Sequence, residues 1–583
     1  MENYKWDLSK IFKTEEEINT AVKFIDEEMK RLEELKENPK SNLLSILDLR
    51  SSVSRTMDKL YVYSHMKRDE DANISSNQKL AMEMESLMNS IGSQFSFIEP
   101  LILGIEDKEL NKLIDSQEYS IYKTYIKRVI RKKPHTLSEK EEFILSSASE
   151  MGDSAQNTFY MLSYGDMKFP VLEKTEEKIE LTHANYTNML TNPNRNIRQE
   201  AFEKMYSTYD KYKNTFASTL MGAIKNLVIQ SKLKNFESAR TLPLFEDDVD
   251  LSVYDSLISA VHDKLTTMYE YLEVKKKGLK LEELHMYDVY VPLIEGVDRK
   301  IPYEEAKSLI IEALKPLGED YVKIIEKAFN ESWIDVYPRE GKKSGAYSWG
   351  CYDSNPYILM NYTDDLNSLF TLAHELGHSV HSYLSRKNNP YINSRYTIFV
   401  AEVASTLNEL LLMDYMLKTS KDENEKLYLL NYHLEQFRTT VFRQTMFAEF
   451  EREIHKRVEN KEALTAKEFS DIYYELNKKY FGENMKIDEQ IALEWARIPH
   501  FYSNFYVYKY ATGFSAATVL STKILKSEKG TLEDYMEFLS DGGNNFPIDQ
   551  LQKAGADMSD ENTVKSALDV FAKEVEDIKK LIN

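Results

Sequence analysis

Phe370-Thr-Leu-Ala-His-Glu-Leu-Gly-His-Ser-Val-His381 places two histidines four residues apart, with a glutamate directly after the first. On a helix each residue advances by about 100°, so His374 and His378 lie about 40° apart on one face, one turn from each other. Two imidazoles so placed can close on a single tetrahedral metal ion, for which zinc is the natural choice. Glu375 lies at the edge of the same face, where it can take a proton from water. The surroundings favour a helix. Thr363-Asp-Asp365 supplies N-cap candidates, and Leu366, Leu369, Phe370, Leu372, Ala373, Leu376 and Val380 make the element largely apolar. Imidazoles buried there need a partner, either a metal ion or, in the plainer reading, hydrogen bonds within a core.

A catalytic zinc takes a third protein ligand and keeps one position open. Glu402, within Ile398-Phe-Val-Ala-Glu-Val-Ala404, is the best candidate, because a carboxylate among apolar neighbours is costly unless it meets a cation. The 23 residues between His378 and Glu402 allow a loop and a second helix packed on the first. His381 falls about 10 Å further along the axis than His374, too far for the same ion. Glu409, two turns beyond Glu402, is placed to accept a ring N–H from a ligating histidine. Far downstream, Ile498-Pro-His-Phe-Tyr-Ser-Asn-Phe-Tyr-Val-Tyr-Lys-Tyr-Ala-Thr-Gly513 offers His500, Tyr502, Tyr506, Tyr508 and Tyr510 as donors for a developing oxyanion. The chain has 38 tyrosines, so most of them must serve packing. Tyr506 and Tyr510, at i and i+4, are expected to share a helix face.

The rest of the chain bounds the reading. At 583 residues it exceeds what one core supports. A formal charge of −21 argues against nucleic acid or an anionic membrane as partner. The lone cysteine, Cys351, and an N-terminus without a basic region and apolar core point to the cytoplasm. The most apolar window, Leu87 to Ile105, is interrupted by Asn89, Gln94 and Glu99-Pro100 and reads as a buried helix that breaks before the proline, not as a membrane span. A capping box at Thr14-Glu-Glu-Glu17 opens a helix to about Lys36, and similar patterns fill the first hundred residues. The basic run Lys127 to Lys133 reads as a solvated helix face. Short alternating segments from Asp166 to Leu172 and Lys178 to Thr182 suggest a hairpin. Long helices are expected after Asn192-Pro-Asn-Arg195 and over Val253 to Lys277, and again over Ala492 to about Ile524. Gly345 to Tyr352, the turn Asp353-Ser-Asn-Pro356 and Tyr357 to Tyr362 form the clearest strand pair, which feeds into the histidine helix. Three regions follow: residues 1–110, helical; 111–195, a helical and hairpin connection; and 196–583, the catalytic region.

Taken together, Ala346-Tyr-Ser-Trp-Gly350 with Asn355-Pro-Tyr-Ile358, His374-Glu-Leu-Gly-His378, Phe399-Val-Ala-Glu-Val-Ala-Ser405, Pro499-His-Phe-Tyr502 and Tyr506 through Gly513 resemble the zinc oligopeptidases of the thimet oligopeptidase and oligoendopeptidase F group, most closely the latter. The resemblance implies a mostly α, multi-helical, prolate two-lobed fold enclosing a deep substrate channel, with a small β-sheet beside the zinc helix. It implies one Zn²⁺ per chain held by His374, His378 and Glu402, with Glu375 as general base and His500 with one of Tyr506, Tyr508 and Tyr510 at the oxyanion, Tyr510 being favoured because it precedes Ala511-Thr-Gly513. It also implies that Ala346, Tyr347, Ser348, Trp349 and Gly350 bind the peptide backbone. The expected function is endopeptidase cleavage of short unstructured peptides. A zinc carboxydipeptidase or amidase would need a charged anchor such as Arg497 to read a terminus. A silent peptide-binding protein is argued against by the intact Glu375.

Overall fold

The computed structural model describes residues 4–175, 178–294 and 299–582, with only the backbone of 149 and 150. The chain is mostly helical, and its sheets are small. It forms two compact units, each built from three separate stretches. The first takes Met1–Lys133, Arg299–Tyr415 and Leu520–Gly555; the second takes Pro134–Asp298, Met416–Val519 and Ala556–Asn583.

In the first unit, helices Glu15–Lys36, Leu43–Glu70 and Ser75–Phe95 follow the apolar periodicity. Thr14 caps the first by accepting the Glu17 N–H at 3.3 Å, but the Glu17 carboxylate reaches the Lys13 N–H at 2.7 Å. The expected box is therefore displaced by one residue. The window at Pro100 does break before the proline, as expected, but the proline is not what ends the helix. The break comes after Phe95, and Pro100 sits in the first turn of a new helix, Ile98–Leu103, where its missing N–H would have no intrahelical acceptor. Ile46, Leu60, Ile98 and Ile102 are buried in one core with Cys351, Tyr357 and Leu359, so the N-terminal helices pack against the sheet residues. Each such fully buried aliphatic side chain contributes about 1.5–3 kcal/mol before entropy is charged against it. The basic run is neutralised locally: Lys132 pairs with Glu99, Lys133 with Asp107, and Arg128 donates to the carbonyls of Gly543 and Asn545.

The sheet of this unit has strands β1 (Ile334–Asp335), β2 (Tyr347–Trp349) and β3 (Tyr357–Leu359). Its order is β1-β3-β2, with β1 parallel and β2 antiparallel to the central strand. Strand β2 is an edge. Ser348 lies opposite Ile358, whose N–H already donates to Trp333 on the other side at 2.8 Å. Ser348 and Ile358 are therefore a non-hydrogen-bonded pair, and the backbone N–H and C=O of Ser348 face the open edge.

The second unit is helical around Arg195–Leu233, capped by Asn194. The run expected over Val253 to Lys277 divides at Lys264 into Leu251–Asp263 and Leu265–Gly278. Val171–Leu172 and Ile179–Glu180 pair antiparallel, as the alternation predicts, while residues 176 and 177 between them lie outside the described residues. A parallel pair, Leu284–His285 with Met485–Lys486, was not foreseen. The stretch from Ala492 is also not one helix. Two 3₁₀ segments, Glu489–Arg497 and Pro499–Tyr502, precede a turn with Asn504 and Phe505 at positive φ; the helix proper is Tyr508–Leu525. Among the described residues no helix is long and apolar enough to cross a membrane.

Candidate active site

Helix α1, Leu366–Asn388, carries the two histidines, and helix α2, Ile398–Thr419, carries Glu402 and Glu409. Asp365 caps α1 by accepting the Ser368 N–H at 2.7 Å, and Leu369, Phe370, Leu372, Ala373, Leu376 and Val380 are buried. The two helices meet at Gly377. A Cβ there would lie 2.6 Å from the Ala404 carbonyl oxygen and 2.6 Å from Ser405 Cα, both backbone atoms that cannot move aside. Asn408 ties the same crossing, donating to the Ala373 carbonyl at 3.1 Å and accepting from Tyr321 at 2.7 Å. Sequence reasoning missed both residues, although a glycine inside an apolar helix is the usual mark of close backbone approach.

This crossing brings His374 Nε2 to 3.3 Å and His378 Nε2 to 3.6 Å from Glu402 Oε2. A tetrahedral ion with bonds of about 2.0–2.1 Å holds neighbouring donors about 3.3–3.4 Å apart, so the set fits zinc in both chemistry and size. Among the described residues, His374, His378 and Glu402 are the group whose spacing suits a metal ion. His374 Nδ1 donates to Glu409 at 2.6 Å, which fixes the ring and leaves Nε2 facing Glu402, available to a metal ion. Ser405 donates to Glu402 Oε2 at 3.0 Å.

The electrostatics follow from this packing. Burial opposes charge on His374, but hydrogen bonds to Glu402 and Glu409 outweigh it and raise its pKa well above the usual value. Burial and the His374 charge lower His378 to about 4. Burial disfavours the Glu402 carboxylate too, yet the two histidines hold its pKa down at about 2. Glu375 is buried, and desolvation lifts it to about 7, the Glu402 charge adding to this while the His374 charge and the backbone N–H of Ser348 oppose. That N–H belongs to the open edge of β2. The Ser348 hydroxyl also meets Ser379 at 2.8 Å, one turn along α1 from Glu375. One helix thus presents His374 and His378 to the metal position and Glu375 and Ser379 to the sheet. Ala346 and Gly350 flank β2 in the same edge-facing phase as Ser348, with Tyr347 and Trp349 alternating between them. His381 is stacked on Tyr396, with ring centroids 3.6 Å apart, and burial lowers its pKa to about 3; it belongs to packing.

The second unit gathers His500, Tyr506 and Tyr510. Tyr510 Oη lies 3.4 Å from His500 Nε2, and the Tyr506 and Tyr510 rings pack edge-on at 5.4 Å. Tyr506 precedes the helix, so the pair meets across a turn and not along a helix face as expected. Tyr502 and Tyr508 are buried and bonded elsewhere, to Thr219 at 2.7 Å and Asp247 at 3.3 Å. Arg497 is likewise committed: it donates to Glu494 at 2.7 Å and Tyr206 at 3.3 Å, and so is not a spare anchor for a peptide terminus.

Comparison with known proteins agrees with this architecture. Residues 188–570 match the description of peptidase family M3, and residues 102–169 that of oligopeptidase F. Oligopeptidase PepF of Bacillus subtilis (strain 168) is 43% identical, over 99% of this chain and 87% of its own length. The crystal structure of oligoendopeptidase-F from Enterococcus faecium is 35% identical, covers 97% of this chain and 99% of its own, and superposes with a TM-score of 0.74. A solved chain from Chlamydophila abortus, 33% identical, covers 99% of this chain and 98% of its own, with a TM-score of 0.93.

Proposed function

The chain belongs to peptidase family M3 and is a metalloendopeptidase, and from that premise we propose that it is a cytoplasmic, zinc-dependent enzyme cutting internal bonds of short, unstructured peptides. The observation that carries this is the triangle of His374, His378 and Glu402, at tetrahedral spacing with Glu375 beside it. Zinc held by these three residues would polarise the scissile carbonyl and acidify a water molecule. Glu375 then takes the proton from the attacking water and returns it to the leaving amine. Glu409 keeps His374 in one tautomer and orientation throughout. Ala346 to Gly350 pairs its open edge with an extended peptide whatever the side chains, a geometry that a folded protein does not offer. For His500, Tyr510 and Tyr506 it is the family resemblance that supports a donor role toward the oxygen that becomes negative. The terminus-reading alternative loses its anchor, because Arg497 is bound to Glu494.

Zinc-loaded protein should cleave internally quenched peptides of about ten residues, blocked or free at either end, and spare folded proteins. Glu375→Gln should retain stoichiometric zinc while kcat/KM falls by about two to four orders of magnitude. A requirement for a free terminus, or full activity in that variant, would refute the reading.

A further inference from the structure

The second unit holds a cavity of about 20 Å³, lined by Arg438, Arg443, Arg497, Glu494 and Asn477 together with tyrosines and apolar side chains; the Asn477 amide donates to the Tyr473 carbonyl at 2.9 Å, and its Oδ1 has no partner among the described residues. The centre of a water-sized sphere can move through this volume, so the cavity has room for a small ion. The three arginine side chains are 1%, 16% and 18% exposed. Arg438 uses Nε and Nη2 on Glu435; Arg443 uses Nη2 on Glu494; Arg497 uses Nη2 on the same Glu494 oxygen and Nε on Tyr206. Among the described residues, Nη1 of all three has no acceptor.

The charges do not balance either. Lys275 also rests on Glu435, so four cationic groups share two carboxylates. Burial, with the charges of Arg438 and Arg198, lowers Lys275 to about 8 against the pull of Glu435. Even with Lys275 neutral, three guanidinium charges that cannot be discharged face two carboxylates. Tyr473 already occupies the other Glu494 oxygen at 2.5 Å. Buried positive charge with unused donors is costly unless an anion meets it. The small volume favours a compact inorganic anion, such as a halide, over an organic acid with a long carbon chain.

We propose that the cavity among Arg438, Arg443 and Arg497 binds one monatomic anion, chloride under ordinary conditions. The anion accepts from the idle Nη1 groups and neutralises the excess charge.

The test compares sodium chloride with sodium gluconate at constant ionic strength on the whole protein. Chloride should raise Tm saturably, by about 1–2 °C for a chain of this size, and crystals soaked in sodium bromide should show an anomalous peak in the cavity. Arg443→Gln should weaken the chloride effect, and Glu494→Gln, which adds to the positive excess, should enlarge it. Equal Tm in both salts, or a cavity holding water alone in bromide, overturns the proposal even if neither variant folds. Arg443 is also a charge that helps keep the His500 pKa low, after burial. A chloride dependence of turnover would therefore extend the inference, but it rests on the role given to His500. The Tm and bromide readings do not depend on that role.

Discussion

Gly377 is where a single side chain decides whether the donor triangle exists. Any Cβ would meet the Ala404 and Ser405 backbone at 2.6 Å, so α1 and α2 would have to part, and the Nε2 to Oε2 distances would open with them. Gly377→Ala should cost about 1–3 kcal/mol as overpacking against an unyielding wall, despite the better helix propensity of alanine. It should also weaken zinc binding; calorimetric zinc titration beside a thermal melt checks both. An unchanged affinity would mean that the crossing tolerates separation. At this scale the sequence was legible wherever the chemistry is local. His374 and His378 are paired by helix geometry alone, and Glu402 and Glu409 stand out because charge amid apolar residues needs a reason. Arg497 was open to misreading because an arginine near a site suggests a ligand. Its partner Glu494 stood three residues earlier as the visible signal.

At the scale of elements, β2 matters for its backbone more than for its side chains. Since Ser348 turns its N–H and C=O to the open edge, Ser348→Ala should leave kcat/KM within about threefold. Replacing the pairing substrate amide by an ester should cost about tenfold, roughly one net hydrogen bond. A kinetic comparison of matched amide and ester substrates decides this, and equal rates would remove the edge from the binding surface. The strand pair itself was readable from its turn, Asp353 to Pro356. Helix boundaries were less so. Pro100 looked like a terminator and is instead an initiator, since the same missing N–H suits either role. Tyr506 and Tyr510 looked like helix neighbours because spacing reveals nothing of a left-handed turn at Asn504 and Phe505.

For the whole molecule, stability should depend on pH in two opposed ways. Burial opposes charge on Glu435, Glu449 and Glu494, but their cationic partners hold each folded pKa near 2, below the ordinary carboxylate range. Their contribution is complete above about pH 4.5 and is lost as pH falls through 2. Glu451 has the opposite sign. Fully buried, with only the Phe505 N–H at 2.9 Å to support its charge, it is lifted to about 8. It must therefore be neutral to be comfortable, and it costs stability increasingly from about pH 4.5 to 8. Glu451→Gln should flatten that slope, giving a Tm closer to wild type at pH 5 and above it at pH 8.5. A parallel decline in both proteins would show that Glu451 ionises freely. Neither effect is legible in sequence, because burial of one carboxylate and pairing of another are properties of the assembled unit.

The interleaving of the two units also bears on how the molecule is made. The first unit needs Leu520–Gly555, and the second needs Ala556–Asn583, so each waits for a stretch that lies more than 500 residues into the chain. At about 5–20 residues per second, the ribosome spends roughly half a minute to two minutes on such a chain. Ile46 and Leu60 share their core with Cys351, Tyr357 and Leu359, so they stay exposed on the nascent polypeptide until those sheet residues, about 300 positions later, have been translated.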